Sequence, residues 1–237
     1  MSQEYKDFIN NFWQKISQSE SKYIKDKAAT EAAEQSRWDA LPEEEKRRIT
    51  LEREQEERER KEYRARQERK DLEDEWNRHG VTPRFYEATW ENWRADTPEQ
   101  KKALETIRQA WDKNLFVIGG NGTGKTHLAM CLAKDGATYC LLPELFREVR
   151  ENMDKEQAII DRYGESRLLI LDEVGRQKGS DFERNLLFEI IDKRWNNFLP
   201  TTIIGNIGQK EFADLCGMAI LDRLRPVVIK FDWESKR

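Results

Sequence analysis

The chain has 237 residues, 37% hydrophobic and 37% charged. That length allows one or two domains, and charge well above the roughly 25% of ordinary globular chains requires part of it to be solvated outside any core. Residues 1–80 carry 18 basic and 21 acidic side chains and residues 81–237 carry 24 and 25, so any nucleic-acid contact must rest on a local patch. No apolar run approaches the roughly 18 residues of a membrane span, and MSQEYKDF is not a signal peptide. Cys131, Cys140 and Cys216 are scattered without metal-ligand spacing. Secreted, membrane and zinc-module classes are excluded, and a cytoplasmic protein with its cysteines in a core is expected.

Residues 1–40 open with Tyr5, Phe8, Ile9, Phe12 and Ile16 at helical spacing, with Trp13 beside them, in a segment otherwise rich in Asn, Gln, Lys and Glu. One reading packs this face on the chain's own domain. The other docks it in a groove of another protein, since residues 1–40 supply too few apolar groups for a separate core.

Residues 41–79 read as a charged helical linker. Pro42 suits a first helical position, and Glu43, Glu44 and Glu45 follow where the helix dipole is positive. Between Glu43 and Glu75 roughly three residues in four are charged, without Gly or Pro, which favours helix. Glu54–Arg58, Glu56–Arg60, Glu57–Lys61 and Glu62–Arg66 are spaced as i,i+4 pairs. Such a helix would be a semi-rigid spacer of roughly 50 Å, the alternative being a disordered polyampholyte. Gly80 caps it and Pro83 prevents continuation.

From residue 80 onward strands and helices alternate, as in an α/β domain. The apolar run Leu115–Ile118 is read as a buried parallel strand, followed by Gly119, Gly120, Asn121, Gly122, Thr123, Gly124, Lys125 and Thr126 and then a helix from His127. This is the phosphate-binding loop GxxxxGKT in its strand–loop–helix context. Its amides and the helix N-terminus supply positive potential, Lys125 would reach the β- and γ-phosphates, and Thr126 would ligate Mg2+. Gly119 to His127 form the expected ATP-binding set. A second run, Leu168–Leu171, ends in Asp172 and Glu173. A carboxylate there is costly unless it serves a metal, so Asp172 is the magnesium-side residue and Glu173 is placed to polarise the attacking water. A third run, Thr201–Gly205, ends in Asn206, which could bond the γ-phosphate or the water, or simply be a turn residue. Arg223 and Arg225 precede the run Val227–Phe231; one could serve as an arginine finger, the alternative being a surface ion pair with Asp222.

Taken in order, Gly80-Val81-Thr82-Pro83-Arg84, Thr89-Trp90-Glu91-Asn92-Trp93, the stretch 120–129, 168–175, 200–206, Asp222-Arg223-Leu224-Arg225 and Asp232-Trp233 resemble the AAA+ ATPases of the DnaC/IstB family, most nearly the DnaC-type loaders of replicative helicases. The resemblance spans residues 80–237. It implies a five-stranded parallel sheet between helices, without a C-terminal lid, preceded by a helical extension. It further implies Mg-ATP bound and hydrolysed by Lys125, Thr126, Asp172 and Glu173, with Asn206 as the first sensor and Arg223 acting in a neighbouring subunit's site. The implied partners are a hexameric replicative helicase gripped by the N-terminal region, single-stranded DNA, and further copies of the chain in a ring or spiral. Two departures stand out: Gly205 where relatives carry serine before the sensor, and a finger segment poor in basic residues. Alternatives are an IstB-like ATPase assisting a transposase and an adaptor that nucleotide orders without being hydrolysed.

Overall fold

The computed structural model of the chain describes residues 27, 29–175 and 179–235. The aromatic stripe at Tyr5 to Ile16 lies outside the described residues. The chain divides into two compact units between Glu68 and Arg69.

Helix α1 (residues 29–39) turns through residues 40–42 into α2 (Glu43–Arg78). Arg53 stacks over the Trp38 ring at 5.4 Å, and Lys46 donates to the Asp39 carbonyl at 3.1 Å, which fastens the turn. Pro42 stands just before the helix rather than at its first position, its carbonyl accepting the Lys46 amide at 3.0 Å. The 36 residues of α2 include no buried side chain. Of the four expected acid–base pairs only Glu56–Arg60 closes among the described residues, at 3.9 Å; shorter contacts join Arg48 to Glu45 and Arg69 to Glu73. Long exposed side chains choose among several neighbours at little cost, so spacing alone does not select the pair.

The second unit is built on a five-stranded sheet in the order β2-β3-β4-β1-β5. Its strands are β1 (Leu115–Gly119), β2 (Thr138–Leu141), β3 (Leu169–Val174), β4 (Thr201–Gly205) and β5 (Val227–Phe231), all paired in parallel. Apolar runs at period two send alternate side chains to opposite faces. Leu115, Val117, Ile170 and Ile204 meet Ala103, Ile107 of α3 (Pro98–Arg108) and Leu128, Leu132 of α4 (Lys125–Lys134). Phe116, Leu169, Leu171 and Ile203 meet α5 (Leu142–Glu151), α6 (Glu156–Gly164) and α7 (Asp181–Asn196), joined by Phe212 of α8 (Gln209–Cys216) and Ile220 of α9 (Met218–Leu224). Capping boxes start α3 (Thr97 with Gln100) and α7 (Ser180 with Glu183).

A buried cation fastens the end of the sheet where β3 and β4 begin. The Arg194 guanidinium, 1% exposed, donates to the Thr201 hydroxyl at 2.9 Å, to the carbonyls of Tyr163 and Ser166 at 2.7 and 2.8 Å, and to the Pro200 carbonyl. Burial lowers its pKa to about 9. A planar fork of five donors can close α6, α7 and β4 onto one another in a way a lysine cannot. No helix among the described residues is long and apolar enough to cross a membrane.

Candidate functional site

At the C-terminal ends of β1, β3 and β4, where parallel sheets place their ligands, the second unit opens a cleft of about 830 Å3. It is lined by residues 121–127 and 172–175, by Gly205, Asn206 and Ile207, and by Arg84, Phe85, Asn92, Trp93 and Arg94. Asn121 to Thr126 of the phosphate loop, Asp172, Glu173 and Asn206, separated by up to 85 residues in sequence, meet here, while Gly119 and Gly120 are not among the lining residues.

The helix after the loop starts at Lys125, two residues earlier than expected, so Lys125 and Thr126 occupy its first turn. Its N-cap is Gly124, at φ 96°, with no side chain capping the first-turn amides. Those amides therefore face the cleft as donors for an anion. Only glycine fits at position 124: a Cβ would lie 2.4 Å from the Trp93 indole nitrogen. Trp93 packs at 6.2 Å on both Phe231 and Trp233, and the Trp233 indole donates to the Thr123 carbonyl at 3.0 Å. An aromatic buttress thus fixes the loop from below. In sequence Trp93 and Trp233 are family markers only; that they support the loop depends on tertiary contacts, that of Trp233 with Thr123 spanning 110 residues, which no local pattern carries.

Lys125 is buried and donates to the carbonyls of Gly119 and Gly120, both at 2.7 Å. Burial pulls its pKa below the ordinary lysine value, and the Asp172 charge opposes that fall. Thr123 closes the loop with a 2.9 Å bond to the Gly120 carbonyl. His127 lines the cleft, but its ring nitrogen meets the Thr89 carbonyl at 2.9 Å, in the segment that Lys134 also holds through the carbonyls of Tyr86 and Ala88.

Asp172 and Glu173 are the fourth and fifth of the six residues of β3, at the strand end where the sequence puts them. The pairing with β4 shifts register between Leu171 and Val174, and Glu173 takes φ 58°, a left-handed conformation rare outside glycine. This bulge re-aims the two acids, as bulges beside active sites do. It also accounts for the departure at Gly205, where a Cβ would fall 2.5 Å from the Val174 carbonyl. Asp172 accepts from the Thr126 hydroxyl at 2.9 Å and the Tyr139 hydroxyl at 3.0 Å on one oxygen, and from the Glu173 amide at 2.7 Å on the other. Burial raises the Tyr139 pKa, so its phenol remains a donor. Asn206 follows β4 directly and donates to Asn121 of the loop at 2.9 Å.

These residues fit Mg-ATP. A hydroxyl and a carboxylate at 2.9 Å offer the hard oxygen pair that Mg2+ takes alongside phosphate and water. No group of three or more His, Cys, Asp or Glu side chains that could hold a metal ion occurs among the described residues. The uncapped first turn of α4 and the loop amides match a phosphate chain.

Arg223 is not among the residues lining this cleft. The surface ion pair with Asp222 is made by Arg225, at 3.5 Å, whereas Arg223 bonds Asp192 of α7 at 2.6 Å while stacking on Phe188 at 4.4 Å. One turn of α9 turns the Arg223 side chain back onto α7, a tertiary choice the neighbouring acid in sequence could not reveal.

The model of the family described as IstB-like ATP binding protein matches residues 27–228. The chain belongs to that family, whose members are P-loop ATPases of the AAA+ class. Among similar proteins, the replicative helicase loader DnaC of Escherichia coli strain K12 is 28% identical over 181 residues, covering 68% of this chain and 74% of that protein. Two solved structures share the fold. The crystal structure of the DnaC helicase loader has a TM-score of 0.55 at 24% identity and covers 63% of this chain and 99% of that one. The crystal structure of DnaI has a TM-score of 0.57 at 20% identity, covering 66% and 94%. The family match makes ATP the nucleotide expected in the cleft.

Proposed function

We infer that the chain is an ATP-dependent loader that binds a hexameric replicative helicase and places it on single-stranded DNA during replication, in the cytoplasm. The supporting observation is the joint one: a family of ATP-binding proteins, a similar protein that is a replicative helicase loader, and a cleft in which the loop, Asp172, Glu173 and Asn206 converge. The unassisted charge of residues 81–237 is near balance, so the DNA contact is assigned to a local surface rather than to the field of the whole chain.

In this reading the loop residues Gly119 to His127 hold ATP, Lys125 supplies the cation of the loop, and Thr126 with Asp172 holds Mg2+. When bound, the metal draws negative charge off the phosphate oxygens. Glu173, turned by the bulge, accepts the proton of the attacking water, and Asn206 orients that water. Arg223, outside the cleft of its own chain, serves the site of a neighbouring copy in a ring or spiral, leaving Asp192 to do so. Residues 1–40 grip the helicase, residues 41–79 link, and residues 80–237 form the ATPase domain.

The test is co-purification of the full chain with hexameric replicative helicases, with and without ATP, beside a chain lacking residues 1–40. Capture by the full chain alone, with nucleotide binding kept by both, is the expected result. Capture of a transposase in place of any helicase would move the chain to the transposition branch of its family, and ATP bound without turnover even in the helicase complex would make it a nucleotide-ordered adaptor.

A further inference from the structure

Three donors hold the Asp172 carboxylate, and they differ in kind. The Thr126 hydroxyl is itself assigned to the metal, and the Glu173 amide belongs to the main chain. The third, Tyr139, sits outside every motif and has no chemistry of its own to perform in the cleft. Its position follows from register. Tyr139 pairs with Ile170 in the β2–β3 ladder, so Asp172 lies two residues further along β3 on the same face, within reach of a long side chain across the diagonal. The phenol is buried and delivers its hydroxyl to Asp172 Oδ2 at 3.0 Å.

Tyr139 is held from behind as well. β2 is an edge strand, yet its outer side is bonded here: the Tyr139 amide donates to the His79 carbonyl at 2.8 Å, in a turn closed on itself by the Val81 amide donating to the Trp76 carbonyl at 2.9 Å. The turn that follows α2 therefore anchors the residue whose other end fixes the carboxylate.

We propose that Tyr139 is a positioning residue for the metal-side carboxylate: its hydroxyl sets the orientation of Asp172 so that the oxygens meet Mg2+ already aligned. The torsion that rotates a carboxylate is soft, and an outer partner is what selects one setting. Removing such a partner lowers metal affinity by about 10–100-fold in comparable sites, whereas a hydroxyl that only satisfies itself leaves metal affinity alone. The inference rests on the reading of Asp172 as the magnesium residue.

The experiment uses the full chain and a fluorescent ATP analogue, with anisotropy followed as MgCl2 is added. Tyr139→Phe keeps the ring and deletes the hydroxyl. Its magnesium midpoint should rise about tenfold, while affinity for the analogue in EDTA and the thermal midpoint stay near those of the unmodified chain. In an Asp172→Asn background the same substitution should add nothing, because the hydroxyl would act only through the carboxylate. An unchanged midpoint in Tyr139→Phe overturns the proposal, as does an equal shift in the Asp172→Asn background. Binding by the unmodified chain that ignores magnesium, or that Asp172→Asn leaves intact, overturns the reading of Asp172 and the inference with it.

Discussion

Helix α2 runs 36 residues without burying a side chain, whereas the six residues of β3 are all buried except Glu173. The helix is held by backbone bonds, an acidic first turn and a scatter of exposed ion pairs, each worth a few tenths of a kcal/mol. The strand is held by packing on both faces, where burial of each large side chain contributes about 1.5–3 kcal/mol. Local terms spread along α2 so thinly that no residue decides its stability. Packing concentrates stability in β3, and with it the capacity to hold two carboxylates in a geometry that a solvated helix could not maintain.

That contrast can be broken most forcefully at Arg194. Replacing it with leucine strips donors from the carbonyls of Tyr163, Ser166 and Pro200 and from the Thr201 hydroxyl. A loss of at least about 3 kcal/mol is expected by denaturant titration, since each stranded polar group costs about 1–3 kcal/mol. Leu171→Ala, deep in β3, should cost about 2–5 kcal/mol. Arg60→Pro in α2 sharpens the comparison from the other side. Far-UV helicity should fall, at about 3 kcal/mol against the helix, while the nucleotide-bound thermal transition of the second unit stays in place. Alanine at both Glu56 and Arg60 should move stability by less than about 0.5 kcal/mol. The smallest expected signal is chemical: burial lifts the Cys131 thiol to about 12 and the Cys140 thiol to about 11. Neither should be labelled by a thiol reagent at pH 8 until denaturant is added, because both lack thiolate and access.

The same contrast decides what was legible in the sequence. Four of the five strands could be read because their apolar runs of four or five residues are local, β2 being the exception, and the phosphate loop because its glycines, lysine and threonine are contiguous. The charged helix could be read from composition, though not which of its pairs close. What escaped reading is tertiary. The bulge that places Glu173 at φ 58° is set by the pairing of β3 with β4, and the exclusion of a side chain at residue 205 follows from it. Asp192 as the partner of Arg223 lies 31 residues away on another helix. Tyr139 looks like one more apolar residue in TYCL until the register with Ile170 is known. The tryptophans under the loop, too, have roles only in three dimensions.

Mg-ATP binding by the loop cation and the Thr126–Asp172 pair of the second unit underlies every role proposed for the cleft. Equilibrium binding of a fluorescent ATP analogue, with magnesium and with EDTA, to the unmodified chain and to Lys125→Ala tests it directly. Saturable, magnesium-strengthened binding is expected, and Lys125→Ala should abolish it while keeping its far-UV spectrum and thermal midpoint, since the loop then lacks its cation for the β- and γ-phosphates. Tight Mg-ATP binding by folded Lys125→Ala would remove the phosphate loop from nucleotide binding.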